Sequence, residues 1–236
     1  MSNSSKFKNR SDESELLDQP QIPKELLFRN LRELDFINRI SGGNAITIEG
    51  IKKLVILKNK PYHIVDLGCG GGGTMKHIAA WARRNDFKIN LTGVDKNSDV
   101  VQYMRESCKN YSEISGVASD YNDFLNTASD IDIVHCSLFC HHLKDEELVA
   151  LFSYLRNNVR SGFVINDLQR NRLAYHSVKL ITHLLNGSAL SKNDGPISVL
   201  RGFRYEELST MLQKAQIKKF TIKWKWGFRY LIVGYS

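Results

Sequence analysis

No apolar run in this 236-residue chain approaches the roughly 18 residues that a membrane-crossing helix needs. The opening Met-Ser-Asn-Ser-Ser-Lys-Phe-Lys lacks the apolar centre of a secretion signal, which predicts a cytoplasmic location. Cysteine is scarce. Cys69, Cys108, Cys136 and Cys140 include one C-x₃-C spacing and no second thiol pair, so they predict buried free thiols and no structural zinc. Acid is scarce towards the end of the chain: from residue 197 onward Arg201, Arg204, Lys214, Lys218, Lys219, Lys223, Lys225 and Arg229 face only Glu206 and Glu207. With a net charge of +8, that basic end suits nucleic acid, another anionic partner, or a solvated face. The chain has neither a dense arginine stripe nor an aromatic platform, which argues against nucleic acid.

What is present reads as an alternation. Residues 1–20, polar and poor in aromatics, are expected to be mobile, and a helix over Glu25–Ile40 follows, closed by Ser41-Gly42-Gly43-Asn44. Residues 1–45 thus read as a mobile terminus with a helical cap, and 46–236 as the main domain, opening on a second short helix, Ile46–Leu57. Strands are predicted at His63–Leu67, Ile89–Val94, Ile114–Ala118, Ile131–Cys136 and Phe163–Asn166. Between them lie helices at Thr74–Arg84, Ser98–Lys109 (capped by Ser98) and Asp145–Leu155. This order predicts an α/β fold with a mostly parallel, Rossmann-like sheet. A helical insertion at Arg172–Leu185, a loop at Asp194-Gly195-Pro196 and a helix at Tyr205–Ala215 follow. Lys218–Trp226 and Arg229–Gly234 around Gly227 then predict an antiparallel pair that completes seven strands, with Trp224 and Trp226 sharing a face as core or sheet cover.

The chemistry concentrates at Val65-Asp66-Leu67-Gly68-Cys69-Gly70-Gly71-Gly72-Gly73, a strand, a glycine turn and a helix start. Glycines let backbone turn tightly and approach a ligand closely, and the helix N-terminus beyond offers unpaired N–H groups. Gly68-x-Gly70-x-x-Gly73 satisfies a dinucleotide fingerprint, and Asp95 would hold ribose hydroxyls, but both NAD and S-adenosylmethionine carry a ribose. Asp66 separates them: a carboxylate there suits the ammonium and sulfonium of S-adenosylmethionine and would repel a pyrophosphate.

At these residues the chain resembles the class I S-adenosylmethionine-dependent methyltransferases, over roughly 46–236. The likeness rests on Val65–Gly72, Gly93-Val94-Asp95, Ser119-Asp120-Tyr121, and Asp132-Ile133-Val134 followed by Leu138-Phe139-Cys140-His141-His142-Leu143. The last segment is similar to small-molecule enzymes of the quinone-biosynthesis group. Ile165-Asn166-Asp167-Leu168, Asp194-Gly195-Pro196 and Ser198–Arg201 look like a bacterial subgroup associated with polyketide or aromatic-lipid pathways. The resemblance implies that Asp66 and the turn Gly68, Cys69, Gly70 and Gly72 hold the methionine part of the cofactor. Asp95 with its neighbour Lys96 would hold the ribose, Asp120 and Tyr121 the adenine, and Cys136 and Ser137 would line the sulfonium. The four consecutive glycines at 70–73 leave individual assignments open by one position.

Methyl transfer from a sulfonium expels a neutral leaving group, so the protein must align acceptor and donor, exclude water and take the acceptor's proton. His141, His142 and Asp167 follow strands four and five at the edge where open α/β sheets bind ligands, and are the candidates for a base or an acceptor contact; for either histidine taken singly, orienting the loop or capping the next helix is the preferred reading. Arg170 and Arg172 would meet an acidic acceptor group, or stand exposed. The apolar cap and the Arg172–Leu185 insertion would flank the pocket and favour a small hydrophobic acceptor. The expectation is methylation of oxygen or carbon on a small aromatic, quinone-like or polyketide-derived molecule. The rival readings are an RNA methyltransferase, which the charge favours but which lacks the Asn-Pro-Pro-aromatic box of amino-group methylases, and a non-catalytic cofactor-binding protein.

Overall fold

A computed structural model describes residues 5–19 and 21–236. The remaining residues, 1–4 and 20, belong to the stretch expected to be mobile and lie outside the described residues.

Strands β1 (Tyr62–Leu67), β2 (Ile89–Asp95), β3 (Ile114–Ala118), β4 (Ile133–Ser137) and β5 (Gly162–Leu168) are mutually parallel where they pair. β6 (Lys219–Lys225) and β7 (Arg229–Tyr235) form a hairpin, and β7 inserts antiparallel beside β5, giving the order β3-β2-β1-β4-β5-β7-β6. The hairpin turns on Gly227 and Phe228, both at positive φ. β6, left as an edge, carries Lys219, Lys223 and Lys225, charges that discourage a further strand from adding.

Period-two alternation splits the core. Val65, Leu67, Val134, Cys136, Phe163, Ile165 and Ile232 face one way, packing with side chains of α6 (Asp145–Asn158) and α9 (Tyr205–Lys214). Ile64, Ile133, Val164, Leu231 and Val233 face the other, against α2 (Gly43–Ile51) and α3 (Gly73–Arg84). Burial on both faces explains why the central strands read as continuous apolar runs. α4 (Ser98–Ser107) is capped by Asn97, one residue before the expected Ser98, because the Asn97 side chain reaches the N–H groups of Asp99 and Val100. α5 (Tyr121–Thr127), capped by Asp120, is a short helix that the sequence pattern does not announce.

The N-terminal region departs most from expectation. α1 (Lys24–Ile40) forms as predicted, but Gly42, at φ 76°, turns the chain directly into α2, which starts earlier and ends sooner than Ile46–Leu57. Gly50 brings α2 onto the sheet, since a Cβ there would stand 2.4 Å from Val164. The described part of residues 1–20 is packed on the body. Arg10 donates to the carbonyls of His141, Leu143 and Arg201, and the Leu16 and Leu17 N–H groups donate to Asp194. Arg170, read as free for an acceptor, is buried; it pairs with Glu207 and donates to the carbonyls of Phe7, Lys8 and Gly202. Asp194-Gly195-Pro196 is not a loop but lies inside α8 (Ala189–Arg201), which packs with α7 (Arg172–Leu184). Trp224 and Trp226 are exposed, not core, with the Trp224 indole donating to Gln169.

Candidate active site

The sheet order reverses direction at β1: one neighbour, β2, leads outward to β3 and the other, β4, to β5. Such a switch point leaves a crevice at the carboxyl ends of the strands. A cleft of about 850 Å³ lies there. Gly68, Cys69, Gly70, Asp95, Lys96, Asp120, Tyr121, Ser137 and His142 line it, as expected. Leu31, Leu34, Asp35 and Asn38 of α1, and Leu17, Asp18 and Gln19 of the N-terminal segment, form the opposite wall.

The turn is built from glycines for two different reasons. Gly68 (φ 68°) and Gly70 (φ 51°) bring backbone to the cleft; a Cβ on Gly68 would strike the Phe139 ring at 2.4 Å, whereas one on Gly70 would meet only Leu31, at an ordinary 3.8 Å. Gly72 (φ 74°) points away, and its Cβ would meet Met104 and Cys108 at 2.7 Å. It shapes the turn and does not line the cleft. Asp95 receives the N–H groups of Gly70 (3.3 Å) and Asn97 (3.0 Å). Burial pushes its carboxyl above the usual range, against the pull of those N–H groups, so an added hydroxyl donor would be welcome. Asp120 uses one oxygen to cap α5 through Asn122 N–H. Tyr121 stands edge-on to Phe139 with centroids 5.5 Å apart. The Ser137 hydroxyl is buried on the cleft wall without a hydrogen-bond partner.

Several expected residues are placed elsewhere. Cys136 faces the core beside Cys140, and all four cysteines are buried and free. Asp66 does not line the cleft. It shares the α2-facing side of the sheet with His135, its register partner, and the two are joined at 2.6 Å. The His135 ring then meets Thr47 Oγ1 at 3.1 Å, Asn166 donates to Thr47 and to the Gly43 carbonyl, and the buried Arg229 guanidinium lies 3.4 Å from Asn166 Oδ1. α7 contributes no residue to the wall.

The histidine pair separates by role. His141 is buried, its Nδ1 2.7 Å from Asp167, which also accepts the His141 and Leu168 N–H groups. Burial opposes charge on His141, but Asp167 and then Glu15 outweigh it and raise its pKa to about 9. His142 alone of the two lines the cleft, its ring tilted 32° to that of His141 with centroids 4.4 Å apart. Asp18 stands 3.5 Å from its Nδ1 and Glu15 3.9 Å from its Nε2. Burial lifts both of these carboxyls, yet His141 holds Glu15, and His142 with Lys96 and Arg201 holds Asp18, below the ordinary range. Glu15, His141 and His142 offer ligand atoms within 4.8 Å of one another, a spacing that would admit a metal. Sequence reasoning missed Glu15 and Asp18, whose polar surroundings read as mobile, and His135, whose partner lies 69 positions away.

A parallel sheet with an antiparallel end, a glycine turn at its switch point and an acid closing the next strand define a nucleotide-type cofactor crevice. Residues 64–162 match the family model described as methyltransferase domain. Over these 99 of 236 residues the chain matches a methyltransferase domain, in keeping with the resemblance to class I enzymes, which implies S-adenosylmethionine as the cofactor. No curated protein matches the sequence. Among solved structures, the plantazolicin methyltransferase BpumL in complex with SAH aligns at TM-score 0.63 and 14% identity, over 90% of this chain and 97% of that one. Magnesium protoporphyrin IX methyltransferase of Synechocystis PCC 6803, with SAH bound, aligns at 0.54 and 17%, over 83% and 84%. Human N-acetylserotonin methyltransferase in complex with SAM aligns at 0.59 and 16%, over 91% of this chain but 56% of that one. The chain likewise spans only 60% of a Nostoc punctiforme protein thought to be an O-methyltransferase. At these identities the likeness is one of fold.

The residues present fit the cofactor. The orphaned Ser137 hydroxyl, the open approach to Gly70 and the carboxylates of Asp18, Asp35, Asp95 and Asp120 around one lysine, Lys96, suit a cationic, hydroxyl-bearing group.

Proposed function

We propose that the protein transfers a methyl group from S-adenosylmethionine to an oxygen or carbon of a small, apolar, aromatic, quinone-like or polyketide-derived acceptor. The observation that carries this reading is the composition of the far wall. Leu17, Ile22, Leu27, Leu31 and Leu34 line the same cleft as His142, an apolar surface for a ring in a pocket with one imidazole. The bound cofactor supplies an electrophilic methyl on a positively charged sulfur. Asp95 accepts the ribose hydroxyls and Asp120, through its free oxygen, the adenine amino group, while the backbone at Gly68–Gly70 receives the methionine end. His142 takes the acceptor's proton, held by Asp18 and Glu15 on one side and by the anchored His141–Asp167 pair on the other. The α1 wall and the N-terminal segment exclude water, so that donor and acceptor meet in line.

Isothermal titration with S-adenosylhomocysteine and with NADH tests the cofactor, and transfer from labelled S-adenosylmethionine to a panel of phenols, hydroquinones and primary amines tests the acceptor. Binding of the first ligand alone, with label in phenols or hydroquinones, is expected. Label confined to amines would reverse the acceptor class, and binding of NADH alone would overturn the reading.

A further inference from the structure

Helix α7 carries a face that no described residue covers. Val178 and Thr182 turn inward, against Gly195 of α8, where an added Cβ would stand 2.7 and 3.6 Å from them. Leu173, Leu180 and Leu184, at i, i+7 and i+11, form an outward stripe and are 67, 59 and 74% exposed. Ile181 and Leu185, at 38 and 50%, widen it. Arg172, His176, Lys179 and His183, at i, i+4, i+7 and i+11, form a second outward stripe on the adjoining flank. Neither Asp nor Glu occurs from Leu168 to Asn193, although the chain has 25 of them. The same side of α1 continues the pattern. Arg29 donates to the Asn186 carbonyl and Glu33 holds Ser188 at the α7–α8 junction, and further along that stripe Phe36 and Ile40 are 41 and 51% exposed.

A helix with leucines on one stripe and arginine, lysine and imidazole side chains on the next is the arrangement that lies in a membrane interface, apolar side chains among acyl chains and the Arg172 and Lys179 cations among headgroup phosphates. We propose that α7 docks the protein peripherally on an anionic lipid surface. A second copy of the chain suits the face less well. Pairing two α7 helices about a two-fold axis sets their basic stripes near one another with no acid on either, whereas an anionic headgroup layer complements that stripe along its length. No helix among the described residues is long and apolar enough to cross a membrane, so the contact is with the surface. This inference stands independently of the methyl-transfer reading.

Co-sedimentation of the full chain with vesicles tests it. The wild-type protein is expected to partition onto equimolar phosphatidylglycerol–phosphatidylcholine vesicles at least tenfold more than onto phosphatidylcholine alone, and high salt is expected to reduce that preference. Leu180→Glu with Leu184→Glu is expected to lower partitioning at least tenfold, and Lys179→Glu severalfold. All three positions are exposed, so unchanged circular dichroism and S-adenosylhomocysteine affinity are expected to show intact folding. Absence of binding to the anionic vesicles would overturn the proposal, as would undiminished binding of the double variant. So would light scattering that finds a dimer which the leucine substitutions dissociate. Failure of the wild type to bind S-adenosylhomocysteine would count against the cofactor site alone.

Discussion

Asp66 and Asp95 stand near the carboxyl ends of neighbouring strands, and the sheet gives them different work. Asp66 shares the α2-facing side with His135; Asp95, where β2 ends, looks into the cleft. Sequence spacing made both look like ligand contacts, because motif position says nothing about which partner a parallel register supplies. Asp95→Ala is therefore expected to weaken S-adenosylhomocysteine at least tenfold in calorimetry, since each hydrogen bond to a charged group is worth about 1.5–3 kcal/mol. Asp66→Ala strands the buried His135 and Thr47 polar atoms. It should lower the urea-unfolding free energy by roughly 1–3 kcal/mol and affect cofactor affinity less than Asp95→Ala does. Gly68 could be read from the sequence as a turn glycine, but the Phe139 ring beside it could not. Gly68→Ala adds that collision to a positive φ, and thermal melting should show it to be less stable than Gly70→Ala, where only the φ is unfavourable.

The N-terminal segment shows how an element can be misread through its composition. Its polar residues look like those of a solvated tail, yet Arg10, Glu15 and Asp18 find partners on the His141–Leu143 turn, on α8 and on Lys96. None of those partners is near in sequence, so the pattern alone could not place them. Asp194-Gly195-Pro196 failed for a related reason: packing of Gly195 against Val178 holds the helix through a local turn signal. The segment should respond to pH at both ends of the range. Glu15 and Asp18 have depressed folded-state pKa values, so their contribution is present above the ordinary carboxylate range and is lost as pH falls below that range through the folded-state values. His141 is raised to about 9, so its contribution is complete below its unfolded value near 6.5 and is lost as pH rises through 9. That difference corresponds to at most about 3 kcal/mol. Hydrogen exchange of residues 6–19, corrected for intrinsic rates, should be slowest near neutral pH and accelerate towards pH 9. In His141→Asn the alkaline limb should flatten; an unchanged limb would show that His141 does not hold the segment.

At the scale of the molecule, the layers were legible and their closure was not. Alternating strands and helices, together with the terminal hairpin, announce the seven-stranded sheet, because period-two and helical patterns are local consequences of burial. The cleft is closed by contacts that span the chain: α1 and residues 17–19 form one wall, and the turns after β1, β2, β3 and β4 form the other. A ligand held between two such walls stabilises both, by RT ln(1 + [L]/Kd), or about 2.7 kcal/mol at one hundred times Kd. Saturating S-adenosylhomocysteine should therefore raise the melting temperature by several degrees in a chain of this length. The gain should not be uniform. Exchange protection should increase in residues 16–19, in α1 and at Gly68–Gly73, while β6, on the far edge of the sheet, should change little. Protection confined to the glycine turn would mean that the N-terminal wall stands apart from the cofactor, and the closed reaction chamber proposed for this cleft would then have to open on that side.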